Sequence, residues 1–271
     1  EYGERRINFS QSFNGLGWIA GPLVGGMLIF SGIEGSNRFS SIALPYMLIG
    51  SLVLVVAVLF WRIRFPELRE EAEEKSQGSG GRLKDLFRYR HFVLAVIAQF
   101  LYVAAQTGIN SFFINYVTEE IPSVTNQQAA QILGIGGMGL FWLGRFTGST
   151  VFMRIFSPNR LLAFYATANV ITMALVVAGL GWTSVVALFS TYFFMSVMFP
   201  TIFALGIKDL GPLTKKGSSL LVMSIAGGAI VPVLMGHIAD VSTMAIGFIV
   251  PLVCFAFIVF YGIKGYSVKG A

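Results

Sequence analysis

Eight stretches of this chain reach the roughly 20 mostly apolar residues that a helix needs to cross the hydrocarbon of a bilayer. They cover residues 7–31, 42–61, 92–117, 129–152, 161–180, 183–207, 218–238 and 244–263. A backbone in hydrocarbon finds no water to bond, so only helices and closed barrels can span it, and the ten-residue alternation of barrel strands is absent. The fold class is therefore all-α integral membrane. The composition agrees, with 55% hydrophobic residues against 12% charged, where soluble domains carry about 25% charged. Glycine recurs inside the stretches, as at Gly134, Gly136, Gly137, Gly227 and Gly228, and small residues in lipid let helices pack closely.

The net charge of +6 does not point to nucleic acid, because the basic residues sit in short runs between the apolar stretches. With the chain starting inside, Arg5, Arg6, Arg154, Arg160, Lys208, Lys215, Lys216, Lys264, Lys269 and the basic residues of 62–90 all fall in inner loops. Arg145 joins them near the inner end of its stretch, and Arg38 is left outside. The positive-inside rule then predicts that both ends of this chain are cytoplasmic, and the membrane expected for it is a bacterial inner membrane. The single cysteine, Cys254, excludes an internal disulfide or a zinc cluster and reads as a small packed hydrophobe. No metal is expected, and the histidines, His91 and His237, read as solvated or interfacial.

One long hydrophilic segment, 66–90, combines an acidic run, a Gly/Ser hinge and a basic amphipathic piece. It reads as a solvated cytoplasmic linker, with membrane-surface contact through Leu83, Leu86 and Phe87 as the alternative. Two stretches precede it and six follow. Setting Pro22 over Pro232 brings Arg5-Arg6 onto Lys215-Lys216, Gly17 onto Gly227 and Gly26 onto Gly236. The first stretch thus repeats the seventh, and by its position the second repeats the eighth. The expected organisation is 1–65 as the last two helices of an N-terminal six-helix half, 66–90 as the central linker and 91–271 as a complete six-helix C-terminal half. The missing N-terminal helices of the same protein, four of them, would be its first partner, and membrane lipid its second.

Three segments, QFLYVAAQTGINSFFINYVTEEIP (99–122), LGRFTGSTVFMRIFSPNRLLAFYA (143–166) and 196–236, which opens SVMFPTIFALGIKDLG, resemble the L-fucose permease and glucose/galactose permease family of the major facilitator superfamily. The first stretch, RINFSQSFNGLGWIAGPLVGG, is similar to that family's fifth helix. The resemblance implies the major facilitator fold and proton-coupled import of a hexose or deoxyhexose by alternating access. No cofactor is implied beyond the proton as coupling ion, and the acids that take it would lie on helices absent from this chain.

The residues themselves offer a binding chemistry. Gln99, Tyr102, Gln106 and Asn110 recur at helical spacing along one face. An amide donates and accepts hydrogen bonds as a sugar hydroxyl does, so neutral amides beside aromatic rings suit a carbohydrate. For Gln106 and Asn110, near mid-depth, the readings are sugar contact or bonding to a neighbouring helix; for Gln99, near the inner end, helix bonding is preferred. Gln11 and Asn14 match family positions implied at the sugar site, with helix bonding as the alternative. Pro200 lacks a backbone donor and predicts a kink that frees carbonyls toward a cavity. Phe199 beside it would line the site by family position, where the resemblance implies a tyrosine, so the sugar itself stays open. Gly144, Arg145, Gly148 and Arg154 form an inner-loop signature, read as stabilising one conformational state or as topological anchors.

Glu34, Glu119, Glu120, Asp209 and Asp240 fall in loops or at stretch ends, so no carboxylate stands at mid-depth and this chain is not expected to transport alone. An enzyme is not expected, since the sequence carries no HExxH, GxSxG or Walker loop. The competing functions are export of a drug or other small solute, which an apolar aromatic cavity would suit better, and a receptor or scaffold that transports nothing.

Overall fold

The computed structural model describes residues 17, 21, 38–62 and 83–267, with the backbone alone at 38–45, 149, 150 and 154. All regular structure among these residues is helical, and the long elements coincide with the apolar stretches. Helix α1 (Arg38–Arg62) holds the second stretch and α2 (Arg90–Glu120) the third. The fourth is a helical run containing Asn126–Gln131, a π turn at Ile132–Gly137, α3 (Met138–Thr147), a second π turn at Gly148–Phe152 and Met153–Ile155. Then follow α4 (Pro158–Val177), α5 (Trp182–Met195), α6 (Met198–Gly206), α7 (Gly227–Val241) and α8 (Ile249–Phe260). Among the described residues five runs, Arg90–Glu120, Pro158–Val177, Trp182–Gly206, Gly211–Val241 and Met244–Gly265, are long and apolar enough to cross a membrane. The expected first stretch lies outside the described residues apart from Gly17 and Gly21.

Local signals set several boundaries. Thr125 and Gln128 form a reciprocal capping box at the start of the fourth run, satisfying two orphan donors there. Ser157 is extended and Pro158 takes the first turn of α4, where a missing N–H costs nothing.

Helix α2 is the hub, packing against α6, α7 and α8. Helices α4 and α5 pack on each other, α8 also covers α4, and α3 lies on α5. Tyr102, Phe113, Tyr116, Tyr192 and Phe248 are fully buried among these helices. The outward faces are apolar too: Phe164, Ile171, Val186 and Val233 are exposed, and so is every side chain from Tyr46 to Arg62. A surface of that kind is compatible with lipid as the solvent, in which apolar exposure carries no hydration penalty.

The outer end of the hub is tied by its acids. Glu120 Oε2 accepts the Gly181 N–H at 2.9 Å, Glu119 Oε1 accepts the Met244 N–H at 3.1 Å, and the Tyr116 hydroxyl donates to the Val176 carbonyl at 2.8 Å. The two glutamates therefore brace the connections before α5 and before α8. At the other end two expectations change. Leu83–Arg88 forms a short 3-10 helix whose Leu86 is fully buried against Gly217, so this end of the linker docks on the bundle and is not simply solvated. His91 is buried, and its Nε2 donates to the Lys208 carbonyl at 2.9 Å instead of facing solvent.

Close packing on the hub is visible at Gly227, where an added Cβ would run into the Phe100 carbonyl oxygen of α2, while at Gly139 nothing lies within 4 Å. Gly227→Ala should destabilise the full-length protein by about 1–3 kcal/mol, because backbone cannot yield as a flexible side chain can. Gly139→Ala should be neutral or slightly stabilising, and thermal unfolding in detergent checks both.

Candidate functional site: a polar stripe beside a broken helix

In a continuous helix the Ser196 carbonyl would accept the N–H of residue 200, and Pro200 has none. The run Trp182–Gly206 accordingly breaks between α5 and α6 at Ser196 and Val197. By the 1.5 Å helical rise the break stands about 15 Å from the Gly206 end and about 21 Å from the Trp182 end, deep within a core about 30 Å thick.

The freed carbonyls are not left open to a cavity, as the sequence had indicated. The Tyr102 hydroxyl donates to the Met195 carbonyl at 3.0 Å, and Arg145 Nε donates to the Ser196 carbonyl at 3.1 Å. Arg145 is half-buried in α3, with its guanidinium carbon 4.9 Å from the centre of the Phe141 ring. It thus lies in the helix of its stretch, as expected, and turns its side chain into the bundle. Its neighbours permit the approach: a Cβ at Gly144 would meet the Phe193 carbonyl oxygen, and one at Gly148 would meet Val197 Cγ1. The glycines of the expected inner-loop signature are points where α3 lies directly on the broken helix. Arg154 falls in the helical turn Met153–Ile155, its side chain outside the described part.

Phe199, half-buried, sits edge-on to Tyr102 with ring centres 6.2 Å apart. That contact marks the flank of α2 that faces α5 and α6. On the other flank, Val103 and Thr107 touch Gly228 at the entrance to α7. Gln106 and Asn110 follow Tyr102 at one-turn intervals and occupy the sector between these flanks. Both are half-buried, neither makes a side-chain hydrogen bond among the described residues, and Asn110 Oδ1 is a buried acceptor without a partner. Asn115, further along, is exposed.

Gln99 differs from its expected role. It is fully buried, yet neither its Oε1 nor its Nε2 has a partner among the described residues, so it does not bond a neighbouring helix there. Gln11 and Asn14 lie outside the described residues. The sequence reading missed the donors that cap the broken helix, although Pro200 identifies the Ser196 carbonyl as orphaned by simple counting.

Comparison with known proteins gives a consistent picture. Residues 3–231 match the Major Facilitator Superfamily. The chain is 40% identical over 281 aligned residues to the L-fucose-proton symporter of Escherichia coli strain K12, covering 94% of this chain and 63% of that protein. It is 32% identical to a glucose/galactose transporter of Brucella abortus, covering 96% of this chain and 63% of the relative, so it spans under two thirds of either. Its fold matches a crystal structure of a Major Facilitator Superfamily transporter, FucP, in the outward conformation, with a TM-score of 0.72, 36% identity and coverage of 97% of this chain and 68% of that one.

If the amides are open valences and the tyrosine is a cap, they respond oppositely to removal of their polar atoms. Gln99→Met, close in volume, should leave the melting temperature of ligand-free full-length protein unchanged or raise it. Tyr102→Phe should cost about 1–3 kcal/mol by stranding a buried carbonyl. Thermal unfolding of the two variants side by side reads the contrast.

Proposed function

This chain belongs to the Major Facilitator Superfamily, and on that footing we propose that it is the larger part of a proton-coupled importer of a hexose or deoxyhexose of the L-fucose, galactose or glucose type. The observation that carries the reading is the pair Gln106 and Asn110, half-buried at mid-helix with hydrogen-bonding capacity unspent. In a membrane helix such groups are costly unless they face water or a polar solute. A hexose presents hydroxyls that donate and accept at once, matching what an amide offers, and its apolar ring faces suit Phe199. An apolar or amphiphilic drug would leave these amides unmatched. The names borne by the relatives, an L-fucose-proton symporter and a glucose/galactose transporter, support the same chemistry.

In this proposal 1–65 supplies the last two helices of the first half, 66–90 the cytoplasmic linker and 91–271 the second half, with Gln11 and Asn14 completing the sugar site. The membrane is a bacterial inner membrane, and the basic runs between stretches support an orientation with both ends of the chain in the cytoplasm. The proton-binding carboxylates belong to the helices that precede this chain in the full protein. Alternating access then rocks one half against the other about the bound sugar, which enters from one side and leaves on the other. The full-length protein carries out transport, not catalysis.

Uptake of radiolabelled L-fucose, galactose and glucose into vesicles containing the full-length protein tests the reading. Uptake of one of them that collapses with the proton gradient is expected. Gln106→Ala and Asn110→Ala should each weaken its apparent affinity about tenfold, the worth of a lost hydrogen bond of about 1–1.5 kcal/mol. No uptake of any hexose, or unchanged affinity in both variants, contradicts it.

A further inference from the structure

An arginine side chain deep in a bilayer is costly enough to need a task, and the geometry of Arg145 specifies one. Its Nε donates to the one carbonyl that Pro200 deprives of a backbone partner, Ser196, while the adjacent Met195 carbonyl takes the Tyr102 hydroxyl. Two side chains from two other helices thus occupy the two carbonyls at the break. Three residues beyond Ser196 comes Phe199, whose ring rests edge-on against Tyr102. The position of that ring depends on the angle between α5 and α6, and that angle depends on what holds the break.

We propose that Arg145 is a positioning residue for the sugar site: it replaces the hydrogen bond that Pro200 cannot make and so holds the α5–α6 break at the angle that sets Phe199 against Tyr102, one helical turn from Gln106 on α2. The inference rests on the sugar reading of that site, and adds to it a residue that never touches the solute. Lysine does not substitute, because a flexible ammonium lacks the fixed planar fork that places Nε against the carbonyl. The close approach of α3 at Gly144 is what brings the guanidinium within reach.

The test is a double-mutant cycle in the full-length protein with Arg145→Lys, Pro200→Ala and the pair, reading melting temperature and apparent KM against maximal rate for hexose uptake. Alanine at 200 restores a backbone donor to Ser196, so it removes the task assigned to Arg145. Alone, Arg145→Lys should lower the melting temperature and raise KM about tenfold with a smaller change in maximal rate. In the Pro200→Ala background the same change should alter KM less than twofold and lower the melting temperature by less than it does alone. Equal effects in both backgrounds overturn the proposal, as does a lowered melting temperature with KM unchanged, which would make Arg145 a structural support only. Coupling in melting temperature with no hexose bound by the parent protein would retain the clamp at Ser196 while removing both the sugar reading and the positioning role.

Discussion

Inside hydrocarbon no water is available to satisfy a polar group, and the rest of this molecule follows from that restriction. Every donor and acceptor at depth must bond within the protein or face a wet cavity. The break in the Trp182–Gly206 run obeys the first alternative, its two carbonyls being taken by Tyr102 and Arg145. Gln106 and Asn110 fit the second, since no helix has claimed them among the described residues. On α2 the partnered Tyr102 holds the bundle, the half-buried Gln106 and Asn110 mark the candidate solute face, and Gln99 stands apart, fully buried without a partner among the described residues.

The same restriction connects packing to the site. Small residues let helices approach until side chains from one reach the backbone of the next, as α3 does on α5 at Gly144. Helix α2 carries both kinds of polar group on neighbouring sectors: Tyr102 turned to the broken helix, Gln106 and Asn110 beside it. At its outer end Glu119 and Glu120 secure two connections by accepting backbone N–H groups. One helix is therefore scaffold, cap and candidate binding face at once.

Much of the fold was legible because apolar length is nearly a sufficient signal in a membrane chain. The helices of 92–117, 161–180 and 244–263 lie where their apolar residues placed them, and the break near Pro200 followed from a missing N–H. Less legible was anything set by contact between distant segments. A charge count places Arg145 on the inner side of its stretch, but it cannot know that Gly144 admits α5 and offers the guanidinium a carbonyl. Periodicity put Gln99 on the stripe, but could not distinguish a bonded amide from one buried without a partner. Leu86 in a hydrophilic segment gave no hint of the niche at Gly217 that receives it.

The central claim is that the amides of α2 face a watery cavity shaped for a hexose, and thiol accessibility addresses it directly. In a full-length background with Cys254 and any further cysteine replaced, Gln106→Cys and Asn110→Cys would be treated with a small membrane-impermeant thiol reagent in vesicles, with and without L-fucose, galactose or glucose. The account predicts labelling at both positions, slowed by one of these sugars and not by a charged solute of similar size. Thiols that resist the reagent throughout, or that react at a rate no hexose alters, would contradict it.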